Sequence, residues 1–248
     1  MSTATRERTP ERRHPHDSSY YRDGGSQKTG GVAALYIALA LLAAIPYFLL
    51  IVDYPGASTA ADKVGLIVDH YPSLYAMYLA SYVVFGLALG LVALAVWDRL
   101  RTAAPSTARA ATWVGLVWAG TLVASGLVFT YGLTTIEALA AADEAQAAAT
   151  WQAVEPVALA LGGAGGELLG GLFVLLVGVA VLQGGGLPRV LAWLGAAIGI
   201  VGLVSVVPAL RDLGIAFGLL QIVWFAWLGV VLLRSEASPA RAPQQAAS

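Results

Sequence analysis

This sequence predicts an all-α membrane protein: a bundle of six transmembrane helices, both termini cytoplasmic, with two short amphipathic helices on the outer face. Three observations carry the prediction. Hydrophobic residues make up 58% of the chain and charged residues 12%, against about 25% charged in soluble domains. Six apolar runs have the roughly 20 residues that cross a bilayer at ~1.5 Å rise each. Basic residues concentrate on alternate loops.

Taken in order, residues 1–29 are polar and almost free of aliphatics. Such a segment cannot bury enough apolar surface to offset its ordering entropy, so it reads as a disordered cytoplasmic tail. Arg12-Arg13 is not a twin-arginine signal, because Pro15 and Asp17 follow instead of an apolar stretch. The transmembrane domain spans 30–235, and 236–248 is a second cytoplasmic tail. Its six runs are 32–52, 74–97, 110–132, 157–182, 190–210 and 214–233. Only Arg211, Asp212 and Leu213 separate the last two, which makes them an antiparallel hairpin.

Orientation follows from charge. Arg6, Arg8, Arg12, Arg13, Arg22 and Lys28 precede the first run, and Arg99, Arg101 and Arg109 lie between the second and third. Arg189 precedes the fifth run, and Arg234 and Arg241 follow the sixth. The opposite side holds only Lys63 and Arg211, so the positive-inside rule puts both ends in the cytoplasm. Two outer loops, 58–70 and 135–154, carry apolar residues at helical spacing and predict surface helices. In the first, Thr59 and Asp62 stand at capping-box spacing.

Glu167 is the candidate site. It lies inside the fourth run, where an ionised carboxylate costs on the order of 3 kcal/mol on insertion scales. It is expected to face the bundle in its neutral form, with Gln221 as hydrogen-bond partner. Ser81, Tyr82, Ser125 and Tyr47 fall at similar depth, and Ser205 somewhat further out. Together they predict a polar pocket open to the outside above an apolar plug. The competing reading is interhelical hydrogen bonding, with Gly162, Gly166 and Gly170, and likewise Gly86 and Gly90, as small-residue faces against other helices. On that reading the chain is a structural or regulatory membrane subunit.

A second constellation rims the outer end: Asp53, Asp69, His70, Arg211 and Asp212. Arg211 is expected to pair with one of the acids. The absence of cysteine removes disulfides, thiolate metal sites and cysteine nucleophiles. No H-E-x-x-H, G-x-S-x-G or phosphate-binding loop occurs, and no His or Lys lies inside an apolar run. No catalytic residue, metal ligand or cofactor is therefore assigned. A lipid-acting enzyme using Asp53, Asp69 and His70 stands third. A net charge of −1 speaks against nucleic acid. The expected partners are the bilayer, a small molecule, and a second membrane protein or another copy of this chain.

The run count, the short tail and the Gly-Gly-Glu167-Leu-Leu-Gly-Gly string, over about residues 30–235, resemble the small polytopic bacterial integral membrane proteins grouped as domains of unknown function. The resemblance implies a multi-pass protein of the inner (plasma) membrane and no particular activity. Abundant Ala, Gly and Arg with scarce Lys agree with a bacterial source.

Overall fold

The computed structural model describes residues 18–162 and 164–234. Within them all regular secondary structure is helical, with no strand. Helix α1 is Ser18–Pro46, α2 Ala60–Asp69, α3 Tyr71–Tyr78, α4 Phe85–Leu100 and α5 Pro105–Ala140. Then come α6 Glu144–Gly162, α7 Ala164–Gly184, α8 Arg189–Ser205 and α9 Leu213–Arg234.

Helix α1 begins inside the stretch expected to be a disordered tail. Tertiary contacts hold it there. Gln27 is buried and donates to the Ala95 carbonyl at 2.8 Å, and Ser26 donates to Asp98 at 2.7 Å. The rest of that tail, residues 1–17, and the expected tail at 236–248 lie outside the described residues.

Five helical stretches are long and apolar enough to cross a membrane: Gly25–Ile51, Tyr71–Leu100, Pro105–Ala140, Glu144–Gly184 and Leu213–Arg234. The fifth expected span falls short, because α8 has 17 residues. The chain leaves the helix after Ser205, and Pro208 opens a short 3-10 turn, Pro208–Leu210. Helix α8 packs antiparallel along α7, with Gly178 against Ala192 and Gly171 against Gly199. The turn before it packs on Arg99 and Ala103, and its last residue, Ser205, bonds Glu167 at the far end. The start of α1 meets the end of α9, where Gly31 lies against Gly229 and Leu233. Both described ends of the chain therefore sit at one end of the bundle.

Three helix pairs approach closely through glycine. Between α7 and α8, a Cβ on Gly199 would stand 2.6 Å from the Gly171 carbonyl oxygen, and one on Gly178 would stand 2.6 Å from that of Ala192. Gly31 and Gly229 do the same for α1 and α9. Gly86 lies against Ala119 and Val123 of α5. Of the other glycines singled out in the sequence, Gly162 faces Ser125 and Gly170 faces Trp118, while Gly90 has only Leu116 within 4.0 Å. The surroundings of Gly166 lie outside what the structure describes. Gly185 and Gly186, with φ of 82° and 92°, end α7 in the left-handed region that favours glycine.

The expected outer helix at 135–154 is not a separate element. Helix α5 continues through it to Ala140, and α6 starts at Glu144 after Asp143 accepts the Gln146 N–H at 2.9 Å. Ile136, Ala147 and Trp151 are buried between the two arms, which is why the pattern looked amphipathic. The helix expected at 58–70 forms as α2, with the Thr59–Asp62 capping box in place. Its hydrogen bonds hold the exposed Asp62 carboxyl below the usual range.

Apolar burial divides into two clusters. The larger fills the half nearer the chain ends, around Phe173, Trp224 and Phe225. The smaller fills the α2–α3–α5–α6 end, around Phe129, Leu133 and Trp151. Tyr82 packs against both.

Candidate functional site

Two departures from regular helix stand at the junction of the clusters. Tyr47–Ile51, directly after Pro46, and Leu79–Val84, between α3 and α4, are π-helical turns. Such turns are rare and occur mostly at functional sites or kinks. Tyr36 of α1 donates to the Ala80 carbonyl at 2.9 Å, tying the second turn to the bundle. The two turns supply Phe48, Ser81 and Tyr82 to an open cavity of about 310 Å³. Helices α1, α4, α5, α6, α7 and α9 complete its walls, the last two with Glu167, Gly214, Gly218 and Gln221.

Four residues singled out for ligand binding share this cavity: Glu167, Gln221, Ser81 and Tyr82. Two do not line it. Ser125 is fully buried and donates to the Ala158 carbonyl at 2.7 Å, joining α5 to α6. Tyr47 is turned towards α3, where it donates to Ser73 at 2.8 Å.

Glu167 does not bond Gln221. Its partner is Ser205, which donates to Oε2 at 3.0 Å. The carboxyl group lies over Gly214, so close that a Cβ there would be 2.9 Å from its Cδ. Gln221 lies two turns further along α9, roughly 10 Å at ~1.5 Å per residue. Glu167 lies beside the start of α9 and the end of α8.

Gln221 and Trp118 are 4% and 3% exposed, and each carries a buried N–H with no acceptor among the described residues: Gln221 Nε2 and Trp118 Nε1. The two groups are neighbours, both against Gly170. A buried donor left unpaired costs about 1–3 kcal/mol. Among the described residues Ser81 is engaged only with the Met77 sulfur at 3.3 Å. Glu167 is the one charged residue in the lining, and no cation joins it there among the described residues.

The rim differs from expectation. Among the described residues no carboxylate lies within 4.0 Å of Arg211, which is exposed with Asp212 in the α8–α9 connection. The paired cation is Lys63, whose Nζ meets both Glu155 oxygens at 2.7 and 2.8 Å. Tyr54 donates to Glu155 at 2.6 Å and accepts from Trp151 at 3.1 Å, while Lys63 stands 5.2 Å above the Tyr54 ring. The sequence marked Lys63 as one of two cations on that side and gave it no partner. Partners from α2 and α6 came together only in the fold. Asp53 is exposed, with φ of 50° and its carboxylate over Gly56. Asp69 is exposed and His70 joins α2 to α3. Among the described residues no three His, Asp or Glu side chains gather as a metal site.

Burial, and then the hydrogen bond and charge of Glu155, push the Tyr54 hydroxyl well above tyrosine's ordinary 10.0. A raised acid stays neutral in the folded state. Its contribution is thus complete below pH about 10 and is lost as the pH climbs beyond it. We expect unfolding to be accelerated at alkaline pH in the wild type and less so in Tyr54→Phe. Equal alkaline sensitivity of both in thermal scans would contradict this assignment.

Helices of this length and apolarity define a multi-pass α-helical membrane protein. No family model matches this chain, and neither does any curated protein or solved structure. The resemblance noted from the sequence therefore rests on its pattern alone.

Proposed function

We propose that this protein is a six-span membrane protein that binds or moves a small lipophilic molecule through a polar pocket centred on Glu167, opening away from the chain ends. Charge asymmetry supports cytoplasmic termini, and so an outward-facing pocket in the inner membrane of a bacterium. Counting α8 as a crossing accords with its 17 largely apolar residues, since a span somewhat shorter than the bilayer is accommodated at modest cost.

One observation carries the reading. A carboxyl, an amide, an indole and two hydroxyls border one open cavity, and two of the N–H groups lack acceptors. A ligand offers partners that the fold does not. The alternative, a subunit that docks partner helices on a Gly162/Gly166/Gly170 face, is weakened because Gly162 and Gly170 are occupied within the fold, against Ser125 and Trp118.

The test is a panel of small lipophilic compounds against the full chain in nanodiscs, read as thermal stabilisation. A compound at one hundred times its Kd should stabilise by about 2.7 kcal/mol. Glu167→Gln keeps shape and the Ser205 contact, so it should fold normally and lose stabilisation by charge-dependent compounds. Retention of every hit in Glu167→Gln would refute a pocket centred on this residue.

A further inference from the structure

A second concavity, of about 520 Å³, lies between α1 and α9. Its walls are wholly apolar: Leu41, Ala44, Ile45, Phe48 and Leu49 face Ile215, Leu219 and Ile222 across Gly214 and Gly218. Leu49, Ile215 and Leu219 are at least half exposed, at 52%, 72% and 50%, on the surface that would meet lipid. The groove adjoins the Glu167 cavity, because Leu41, Ala44, Phe48, Gly214 and Gly218 line both. Gly218 is the threshold between them. A Cβ there would meet nothing within 4 Å, so the space beside it is open.

Resting on the pocket reading above, we infer that the ligand is a single-chain amphipathic cation that enters sideways from the bilayer: its ammonium lies at Glu167, an acceptor oxygen lies deeper at Gln221 and Trp118, and its chain lies in the α1–α9 groove. Charge selects the head. Glu167 is the only charge in the lining, and the rings of Phe48, Tyr82, Trp118 and Phe217 suit a cation and not an anion. Order along α9 selects the arrangement. Gly214 marks the level of the carboxyl, and the unpaired amide of Gln221 comes two turns deeper, about 10 Å away. A carbonyl between ammonium and chain meets that amide. The groove adds little affinity by itself, because a chain leaving lipid for an apolar groove gains no hydrophobic free energy. What it provides is a way for the head to reach Glu167 while the chain stays in lipid.

Lauroylcholine has this chemistry, and tetramethylammonium has the cation without the chain. Binding of both to the full-length protein in nanodiscs would be measured, with a photoreactive lauroylcholine to map the chain. Wild type should bind lauroylcholine, label on α1 and α9, and show no competition by dodecyl sulfate. Gly218→Leu should weaken lauroylcholine at least about tenfold, or ~1.4 kcal/mol, more than it weakens tetramethylammonium. Gly218→Ala, a smaller intrusion that suits a helix, should give an intermediate loss and guards against misfolding of the leucine variant. Glu167→Gln should weaken both ligands. If Gly218→Leu and Gly218→Ala leave lauroylcholine binding intact while Glu167→Gln still weakens both cations, the pocket stands and the lateral route is wrong. If neither cation depends on Glu167, the ligand assignment fails together with the pocket. Competition by dodecyl sulfate as strong as by lauroylcholine would overturn the choice of a cation.

Discussion

Gly199→Leu is expected to destabilise the protein by at least about 3 kcal/mol, the upper part of the range for overpacking a filled interface. Its Cβ would stand 2.6 Å from the Gly171 carbonyl oxygen and 2.8 Å from the Leu175 amide nitrogen. Both are backbone atoms of α7, so no rotamer change relieves the collision. The helices must separate, and with them Ser205 and Glu167, which their crossing holds at 3.0 Å. Thermal unfolding in nanodiscs should show a large fall in Tm. Gly120→Leu is the control, because a Cβ at that exposed position meets nothing within 4 Å. Its effect should stay within about 0.5 kcal/mol, as for surface positions away from special features. Equal Tm values for the two variants would mean that α7 and α8 do not cross through these glycines.

Glu155→Ala should be the next most damaging change, at about 2–3 kcal/mol. It strands the Lys63 ammonium and the Tyr54 hydroxyl, which both bond this carboxylate, at 2.7 and 2.6 Å. The figure is set below the ~3–5 kcal/mol of a fully buried pair, because Lys63 and Glu155 keep 25% and 14% of their side-chain surface exposed. Lys63→Ala alone should cost less, since Glu155 retains Tyr54. In the double variant the Lys63 contribution should largely vanish, with a coupling of about 1–2 kcal/mol by a double-mutant cycle. Strict additivity would show that the pair contributes nothing. The loss should be local at first, because Glu155 anchors α6 to α2 and to the turn after α1. Hydrogen exchange at residues 54–69 would then rise before the rest of the bundle loosens.

The all-helical class and the five long apolar helices were legible in composition and run length, since a bilayer-length apolar segment has few other uses. The Thr59–Asp62 cap was legible too, because capping is a contact within three residues. Helix ends were less so. Polar residues 18–29 gave no sign of helix, yet Gln27 and Ser26 are held by Ala95 and Asp98, residues distant in sequence. Helical phase was not readable in chains that are apolar on every side. Ser125 and Tyr47 therefore could not be told from Ser81 and Tyr82.

What the sequence by itself determined is the local and the solvent-driven: which segments are helical and apolar, where one cap forms, and that Glu167 is the charge most in need of explanation. Tertiary structure alone decided the partners. Ser205 and not Gln221 bonds Glu167, Lys63 and not Arg211 finds a carboxylate, and Gly218 opens on empty space while Gly199 is pressed against backbone. The physical reason is one of scale. Hydropathy and capping act over a few residues, whereas a hydrogen bond or a glycine contact between helices depends on rotation and axial shift. A rotation of one residue's arc, or an axial slip of ~1.5 Å, exchanges one neighbour for another.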